Sequence, residues 1–151
     1  MSVWWSRMTR WRQVVRTFRR PAKLTLYVDI ALVALAVPLL ARLKLPRLAT
    51  LLGRGRAATP PDPARVDDLV ASVAAVLQFA AVLIRPTCIT RGLVLYHFLR
   101  RAGLDVQLCF GAGYPQGQFE AHCWLVYEEK PFMEPRDPRQ WFTELYRMSP
   151  R

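Results

Sequence analysis

Two long apolar stretches precede Pro86. Residues 24–41 are apolar almost without interruption, and the twelve residues from Ile30 to Ala41 carry no charge. A bilayer span needs roughly 20 such residues, so the stretch predicts a helix buried in the domain, with a membrane span as the alternative. A second helix, apolar nearly all round, is predicted from Leu69 to Ile84, with Asp67 and Asp68 at its start. We expect it to be buried as well.

After Pro86 the pattern changes to one helix and several short strands. Helical spacing runs from Cys88 to Arg101, and Gly103 is placed as the C-cap. Period-two alternation and turn residues predict strands at 106–110, 119–127 and 131–134, the last two joined in a hairpin by residues 128–130. The glycines of 111–113 predict a loop, and 141–148 predicts a terminal helix or turn. The order of elements favours an α+β domain.

The excess positive charge of the chain lies entirely in its N-terminal third. The protein has 151 residues and a formal charge of +11, and residues 1–56 hold 12 basic side chains against Asp29 alone. Tryptophans and arginines interleave from Trp4 to Lys23, which predicts a basic amphipathic helix that stops at Pro21, with a solvated extension as the alternative. Such a helix suits an anionic membrane surface, a nucleic-acid backbone or an acidic peptide.

Four segments follow from these changes in composition. They are a basic amphipathic extension at 1–23, an apolar helical segment at 24–56, a linker at 57–64 and a catalytic domain at 65–151. The three cysteines are spaced for neither a zinc site nor a disulfide framework, which indicates a reducing compartment. Seven basic groups precede the first apolar run, unlike a signal peptide, so we expect a cytoplasmic protein, with membrane association as a further option. Neither a cofactor nor a metal is predicted, since the glycines at 111–113 lack the rest of a dinucleotide fingerprint.

Only a few side chains offer acid, base or nucleophilic chemistry. Cys88 begins a helix, where unpaired N–H groups and the positive end of the dipole stabilise a thiolate. His122 lies in the middle of a predicted strand, an unusual position for a polar ring unless it faces a cleft. Glu134 and Asp137 follow the next strand of the hairpin, and either could orient the imidazole. Cysteine, histidine and carboxylate in this order predict acyl transfer through a thioester.

Other candidate residues are expected to be structural. Cys109 and Cys123 alternate with apolar strand neighbours and are read as small buried hydrophobes. His97 is expected to be a surface or packed histidine, and Trp124 a core residue.

The motifs around these residues resemble the transglutaminase-like cysteine peptidases of lasso peptide biosynthesis. They are Arg85-Pro86-Thr87-Cys88-Ile89-Thr90-Arg91, Leu99-Arg100-Arg101-Ala102-Gly103-Leu104 and Phe119-Glu120-Ala121-His122-Cys123-Trp124, with Glu134-Pro135 after the hairpin. The resemblance implies a transglutaminase-like or papain-like core, in which the helix bearing the nucleophile packs on a small antiparallel sheet, preceded by apolar N-terminal helices. It implies Cys88 as nucleophile, His122 as general base and later acid, and Glu134 or Asp137 as the orienting carboxylate. The family triad usually has Asp, whereas Glu134 stands at the aligned position.

The same resemblance implies a particular reaction and set of partners. The protein would remove the leader from a lasso precursor peptide, delivered by a small leader-recognition protein, before an ATP-dependent lasso cyclase closes the macrolactam. The position of the excess charge, rather than the resemblance, predicts that residues 1–47 contact a membrane surface or partner proteins, and nucleic acid is not expected as the ligand. Two alternatives remain open. The same triad could perform amidase or acyl-transfer chemistry in another pathway, or the chain could be a non-enzymatic basic protein that binds membrane or nucleic acid.

Overall fold

The computed structural model describes residues 23–53, 61–82 and 87–149, which fold into four α-helices and a four-stranded sheet. The helices are α1 (Leu24–Leu40), α2 (Leu45–Leu52), α3 (Pro63–Phe79) and α4 (Cys88–Arg101). The strands are β1 (Gln107–Gly113), β2 (Glu120–Tyr127), β3 (Lys130–Phe132) and β4 (Phe142–Met148). Short 3-10 helices occupy Ala80–Val82, Pro115–Gly117 and Pro138–Gln140. The predicted α+β class is confirmed. The predicted amphipathic helix that stops at Pro21 lies outside the described residues.

Helix α3 starts earlier and ends earlier than the pattern of apolar residues predicts. Its N-cap is Asp62, whose side chain accepts a hydrogen bond from the Ala64 amide at 3.2 Å, and Pro63 occupies the first helical position. An acidic cap followed by proline is a strong start signal, which overrides the pair at 67–68. At the other end the chain tightens into the 3-10 turn after Phe79.

Helix α4 has the predicted bounds, and its two ends show why. Thr87 caps the first turn by accepting a hydrogen bond from the Thr90 amide at 3.2 Å. At the C-terminus Gly103 adopts a positive φ of 102°, and the Leu104 amide donates to the Leu99 carbonyl at 3.0 Å. A residue without a side chain adopts this conformation at low cost, so Gly103 ends the helix.

The sheet is antiparallel with strand order β3-β2-β1-β4. The hairpin between β2 and β3 is confirmed, and its two turn residues, Glu128 and Glu129, both have positive φ. The loop predicted at 111–113 is wrong, because Gly111 and Gly113 continue β1 and pair with strands on both sides. A Cβ at Gly113 would lie 1.9 Å from the Trp141 carbonyl oxygen. These glycines therefore allow close strand packing rather than a turn.

The C-terminal segment is a strand, so the predicted terminal helix or turn is wrong. Residues Phe142–Met148 pair with β1, and a register shift beside Phe110 and Gly111 leaves Leu145 exposed. Alternation of half-buried and exposed side chains along this segment fits an edge strand.

One continuous core lies between the helices and the sheet. Helix α1 contributes Ile30 and Ala34, and α4 contributes Leu93, Tyr96 and Leu99, all with at most 1% of their surface exposed. A smaller apolar cluster on the other face of the sheet contains Cys109, Trp124, Val126 and Phe142. Helix α1 thus shares its core with the rest of the fold, and the four-segment division of the chain stays a prediction. None of the helices in the described ranges combines the length and apolar character that a bilayer span requires.

Candidate active site

Cys88 is the first residue of α4. This end of the helix lies beside the edge of β2. The Thr87 hydroxyl caps this turn and also lies 3.1 Å from the Thr90 hydroxyl, so the backbone around the thiol is held in place. The first turn of a helix presents N–H groups that have no partner within the helix. The half-buried Cys88 side chain lines a cleft beside them.

His122 lies on β2 where the sheet edge is uncovered. Strand β3 pairs only with Leu125–Tyr127, so it stops short of the histidine. The imidazole stacks on Trp124, with ring centroids 6.1 Å apart and planes inclined by 20°. It also packs against Phe142, with 5.3 Å between the ring centroids. These rings fix the imidazole orientation while 27% of its side chain remains exposed to the cleft.

Glu134 faces His122 from the segment that follows β3. Its Oε2 lies 3.5 Å from His122 Nε2, and the Glu134 side chain is 18% exposed. Met133, the preceding residue, has a positive φ of 62°. Its carbonyl accepts a hydrogen bond from the guanidinium of Arg91 of α4 at 3.5 Å. The turn at Met133 and its hydrogen bond to α4 orient the Glu134 carboxylate toward the His122 imidazole.

Asp137 is engaged elsewhere. Its carboxylate accepts hydrogen bonds from the Arg139 guanidinium at 2.6 to 3.1 Å and from the Arg139 amide at 3.0 Å. These bonds lower the pKa of Asp137 and cap the 3-10 helix Pro138–Gln140. Of the two carboxylates predicted for the triad, the structure brings Glu134 to the histidine and pairs Asp137 with an arginine.

The three side chains share one narrow cleft between the start of α4 and the edge of β2. The cleft is open to the surface, and its volume is about 40 Å³, which is room for a few water molecules. The walls are formed by Cys88, Arg91, Gly92, Leu95, His122, Cys123, Trp124, Leu125, Phe132, Met133 and Glu134.

The other cysteines are buried, as expected, but only one is remote from the cleft. Burial raises the pKa of the Cys109 thiol to about 12, and the neighbouring Glu144 adds to the effect. Burial also raises the pKa of Cys123, whose thiol in addition hydrogen-bonds the side chain of Cys88. Sequence reasoning missed this contact, since strand alternation places Cys123 on the face opposite His122 and only the packing of α4 brings Cys88 to both. It also did not single out Arg91, which lines the cleft one turn after Cys88.

The remaining histidine is structural. The Nδ1 atom of His97 lies 3.0 Å from the Leu52 carbonyl oxygen and joins α4 to the end of α2. Burial lowers the pKa of His97, which favours its neutral form. Among the described residues, no three His, Cys, Asp or Glu side chains are grouped as ligands for a metal ion.

A cysteine at a helix start, a strand histidine and a carboxylate beside that histidine are the groups that cysteine-dependent acyl transfer requires, and here they line one cleft of an α+β fold. The family model for the transglutaminase-like superfamily matches residues 32–147, and the chain belongs to that superfamily. Membership fits a cysteine peptidase or acyltransferase kind of activity. No curated protein and no solved structure matches the chain.

Proposed function

We propose that this protein is a cysteine peptidase that removes the leader peptide from a lasso peptide precursor. The observation that carries the proposal is the meeting of Cys88, His122 and Glu134 on one cleft, with 3.5 Å between His122 and Glu134. Membership of the transglutaminase-like superfamily supports cysteine chemistry. The resemblance of the Cys88 and His122 motifs to lasso leader peptidases supports the choice of substrate.

The proposal gives each of the three side chains a role that agrees with its position. His122 takes the proton of the Cys88 thiol, and the thiolate attacks the carbonyl at the junction of leader and core. The amides at the start of α4 donate to the oxyanion, as the N–H groups of the first helical turn can do. His122 then protonates the departing amine, and water hydrolyses the thioester. Glu134 lies beside Nε2 of His122. In the proposed mechanism the other ring nitrogen, Nδ1, therefore accepts the proton of Cys88 and donates it to the departing amine.

Glu134, rather than Asp137, is the proposed orienting carboxylate. A carboxylate beside a histidine stabilises the imidazolium that forms during attack and holds the ring in one orientation. Asp137 already neutralises Arg139, and 33% of its side chain is exposed. The usual Asp of the family is thus replaced in this role by a longer side chain from the residue after Met133.

The proposed partners are a lasso precursor peptide, a small leader-recognition protein and the ATP-dependent lasso cyclase that acts afterwards. The narrow cleft supports a division of labour, since its volume of about 40 Å³ holds little of a leader sequence. Recognition then falls to the delivery protein. The basic residues of 1–47 are proposed to contact a membrane surface or these partners in the cytoplasm.

The test is a reconstituted cleavage reaction with the full chain, a lasso precursor and its leader-recognition protein. We expect a free leader and a free core whose masses together exceed the precursor by one water. Cys88→Ala should abolish the reaction, and Cys109→Ala, which removes a buried thiol far from the cleft, should not. Undiminished cleavage by Cys88→Ala would refute the proposal.

The product mass also separates hydrolysis from acyl transfer, which the superfamily supports equally well. With a primary amine present, a transferase yields a leader whose C-terminus carries the amine. A peptidase yields the free carboxylate at the same rate with or without the amine.

A further inference from the structure

The cleft contains a second thiol that the proposed hydrolysis does not use. Cys123 lies on β2 with 4% of its surface exposed, on the face of the strand that packs against α4. Its Sγ occupies the space beside Gly92, where an added Cβ would lie 3.2 Å from the sulfur. Since Gly92 is four residues after Cys88, both lie on one face of α4. The missing side chain at Gly92 therefore leaves room for the sulfur next to the nucleophile.

The two thiols are neighbours in the cleft. The Cys123 thiol hydrogen-bonds the Cys88 side chain, and both residues line the same cleft. Cys88 is half-buried, so a small reagent entering the cleft reaches it first, whereas Cys123 lies behind it. Burial raises the pKa of Cys123, so of the two thiols it is the slower to react with a peroxide, and it loses its proton only as it attacks the oxidised Cys88.

We propose that Cys88 and Cys123 form an oxidation site, in which a hydroperoxide converts the nucleophile and its neighbour into an intramolecular disulfide. The Cys88 sulfur attacks the terminal peroxide oxygen, the O–O bond breaks, and an alcohol or water leaves, which oxidises Cys88 to a sulfenic acid. The Cys123 sulfur then attacks the Cys88 sulfur, the S–O bond breaks, and hydroxide leaves and takes up the Cys123 proton as water. In total, two thiols lose two electrons and two protons, and the peroxide is reduced.

The disulfide would protect the nucleophile from irreversible oxidation. A sulfenic acid without a neighbouring thiol is oxidised further to a sulfinic acid, which ordinary thiols do not reduce. A disulfide returns to two thiols with a reductant such as dithiothreitol. If the proposed function holds, peroxide therefore switches cleavage off reversibly, but the disulfide itself forms whether or not the chain is a peptidase.

The test treats the full chain with a small excess of hydrogen peroxide and measures its intact mass. We expect a product lighter by two hydrogens, a cross-linked pair of peptides containing Cys88 and Cys123, and full reversal by dithiothreitol. In Cys123→Ser the product should instead be heavier by two oxygens, located on Cys88 and not reversed. Cys109→Ser is the matched control, since it also alters a buried strand cysteine, and it should behave like the parent.

Two results would overturn the proposal. One is a parent protein that accumulates sulfinic acid on Cys88 as fast as Cys123→Ser does. The other is a disulfide that includes Cys109 or joins two chains. If Cys123→Ser fails to fold by circular dichroism, the peptide map of the oxidised parent decides by itself. Loss of precursor cleavage is recorded separately, so a failure of the proposed function does not affect the mass measurement.

Discussion

Two groups of ionisable side chains lie on the sheet, and their carboxylates have different partners. The first is the proposed triad of Cys88, His122 and Glu134, which lines the cleft at the edge of β2. The second is an ion-pair cluster that joins β4 to the β2–β3 turn and to the segment after β3, and each of its carboxylates pairs with an arginine; its members are Glu129, Asp137, Arg139, Glu144 and Arg147. The segment after β3 contributes to both groups. Glu134 belongs to the first, and Asp137, three residues later, belongs to the second.

Glu134 and Asp137 are close in sequence, yet only Glu134 lies beside His122, while Asp137 pairs with Arg139. Arg139 holds Asp137 through its side chain and also donates to the Glu129 carbonyl at 3.3 Å. Arg147 joins Glu129 to Glu144, and these bonds raise the pKa of Arg147. A carboxylate paired with a guanidinium contributes to the fold, whereas Glu134, which faces the His122 imidazole, is the one proposed to act in the reaction. Substitutions in the two groups should therefore separate activity from stability.

The largest expected effect is loss of cleavage on changing the histidine. His122→Gln removes the proton acceptor for Cys88, and we expect the rate of precursor cleavage to fall about 10³-fold, within the range for general acid–base groups. The free energy of unfolding should change by less than about 1 kcal/mol, because the side chain is partly exposed. Single-turnover cleavage and urea unfolding measure the two quantities. A variant that cleaves normally would remove His122 from the mechanism.

The carboxylates are compared next, by amide substitution at each. Glu134→Gln should lower the cleavage rate about 10²-fold, since it removes the charge beside the imidazolium while keeping its shape. Asp137→Asn is the matched control and should leave the rate within about twofold while weakening the bond to Arg139. The opposite ranking would assign the third position to Asp137.

Gly111 connects the two regions, because it pairs with His122 on one side and Glu144 on the other. A Cβ there would lie 2.7 Å from both the Trp124 ring and the Thr143 carbonyl oxygen. Gly111→Ala should therefore cost about 1–3 kcal/mol of unfolding free energy and also lower cleavage, since Trp124 supports His122. Urea unfolding of Gly111→Ala checks the first effect, and an unfolding free energy equal to that of the parent would show that the strand accepts a Cβ at this position.

The smallest effect is expected in the ion-pair cluster and depends on pH. The hydrogen bonds of Arg147 lower the pKa of Glu144 below its ordinary 4.5, so folding favours the ionised form. The stabilisation is complete well above pH 4.5 and is lost as the pH falls through the lowered folded-state value. Glu144→Gln should cost about 0.5 kcal/mol at pH 7 and progressively less in acid. A difference that grows as the pH falls would contradict this sign.

Local signals predicted the parts of the site that lie within one element. Proline and threonine before Cys88 mark a helix start, and His122 is polar inside an apolar strand, so both positions could be predicted from the sequence. The choice between Glu134 and Asp137 depends on the positive φ of Met133 and on the capture of Asp137 by Arg139. The cap formed by Asp137 and Arg139 is local, and the sequence Asp137-Pro138-Arg139 is a signal that could have indicated it. The approach of Glu134 to His122 is a tertiary effect that no local pattern contains.

The errors at strand ends have a similar cause. Glycines at 111 and 113 predict a loop from conformational preference, but their role is to admit Trp124 and the Trp141 backbone at close range. Strand β4 pairs with β1 alone, and mixed charges along it hide its alternation. The contact of Cys123 with Cys88 joins a strand to a helix start, and it becomes visible only once α4 is packed on the sheet.

The alkylation rate of Cys88 shows, without knowledge of the substrate, whether His122 activates this thiol. The full chain and His122→Gln are treated with iodoacetamide at pH 7, and peptide mapping follows each of the three cysteines over time. We expect Cys88 of the parent to react first, at least about ten times faster than Cys88 of the variant, while the buried Cys109 stays unmodified in both. Equal rates for Cys88 in the two proteins would contradict its activation by His122.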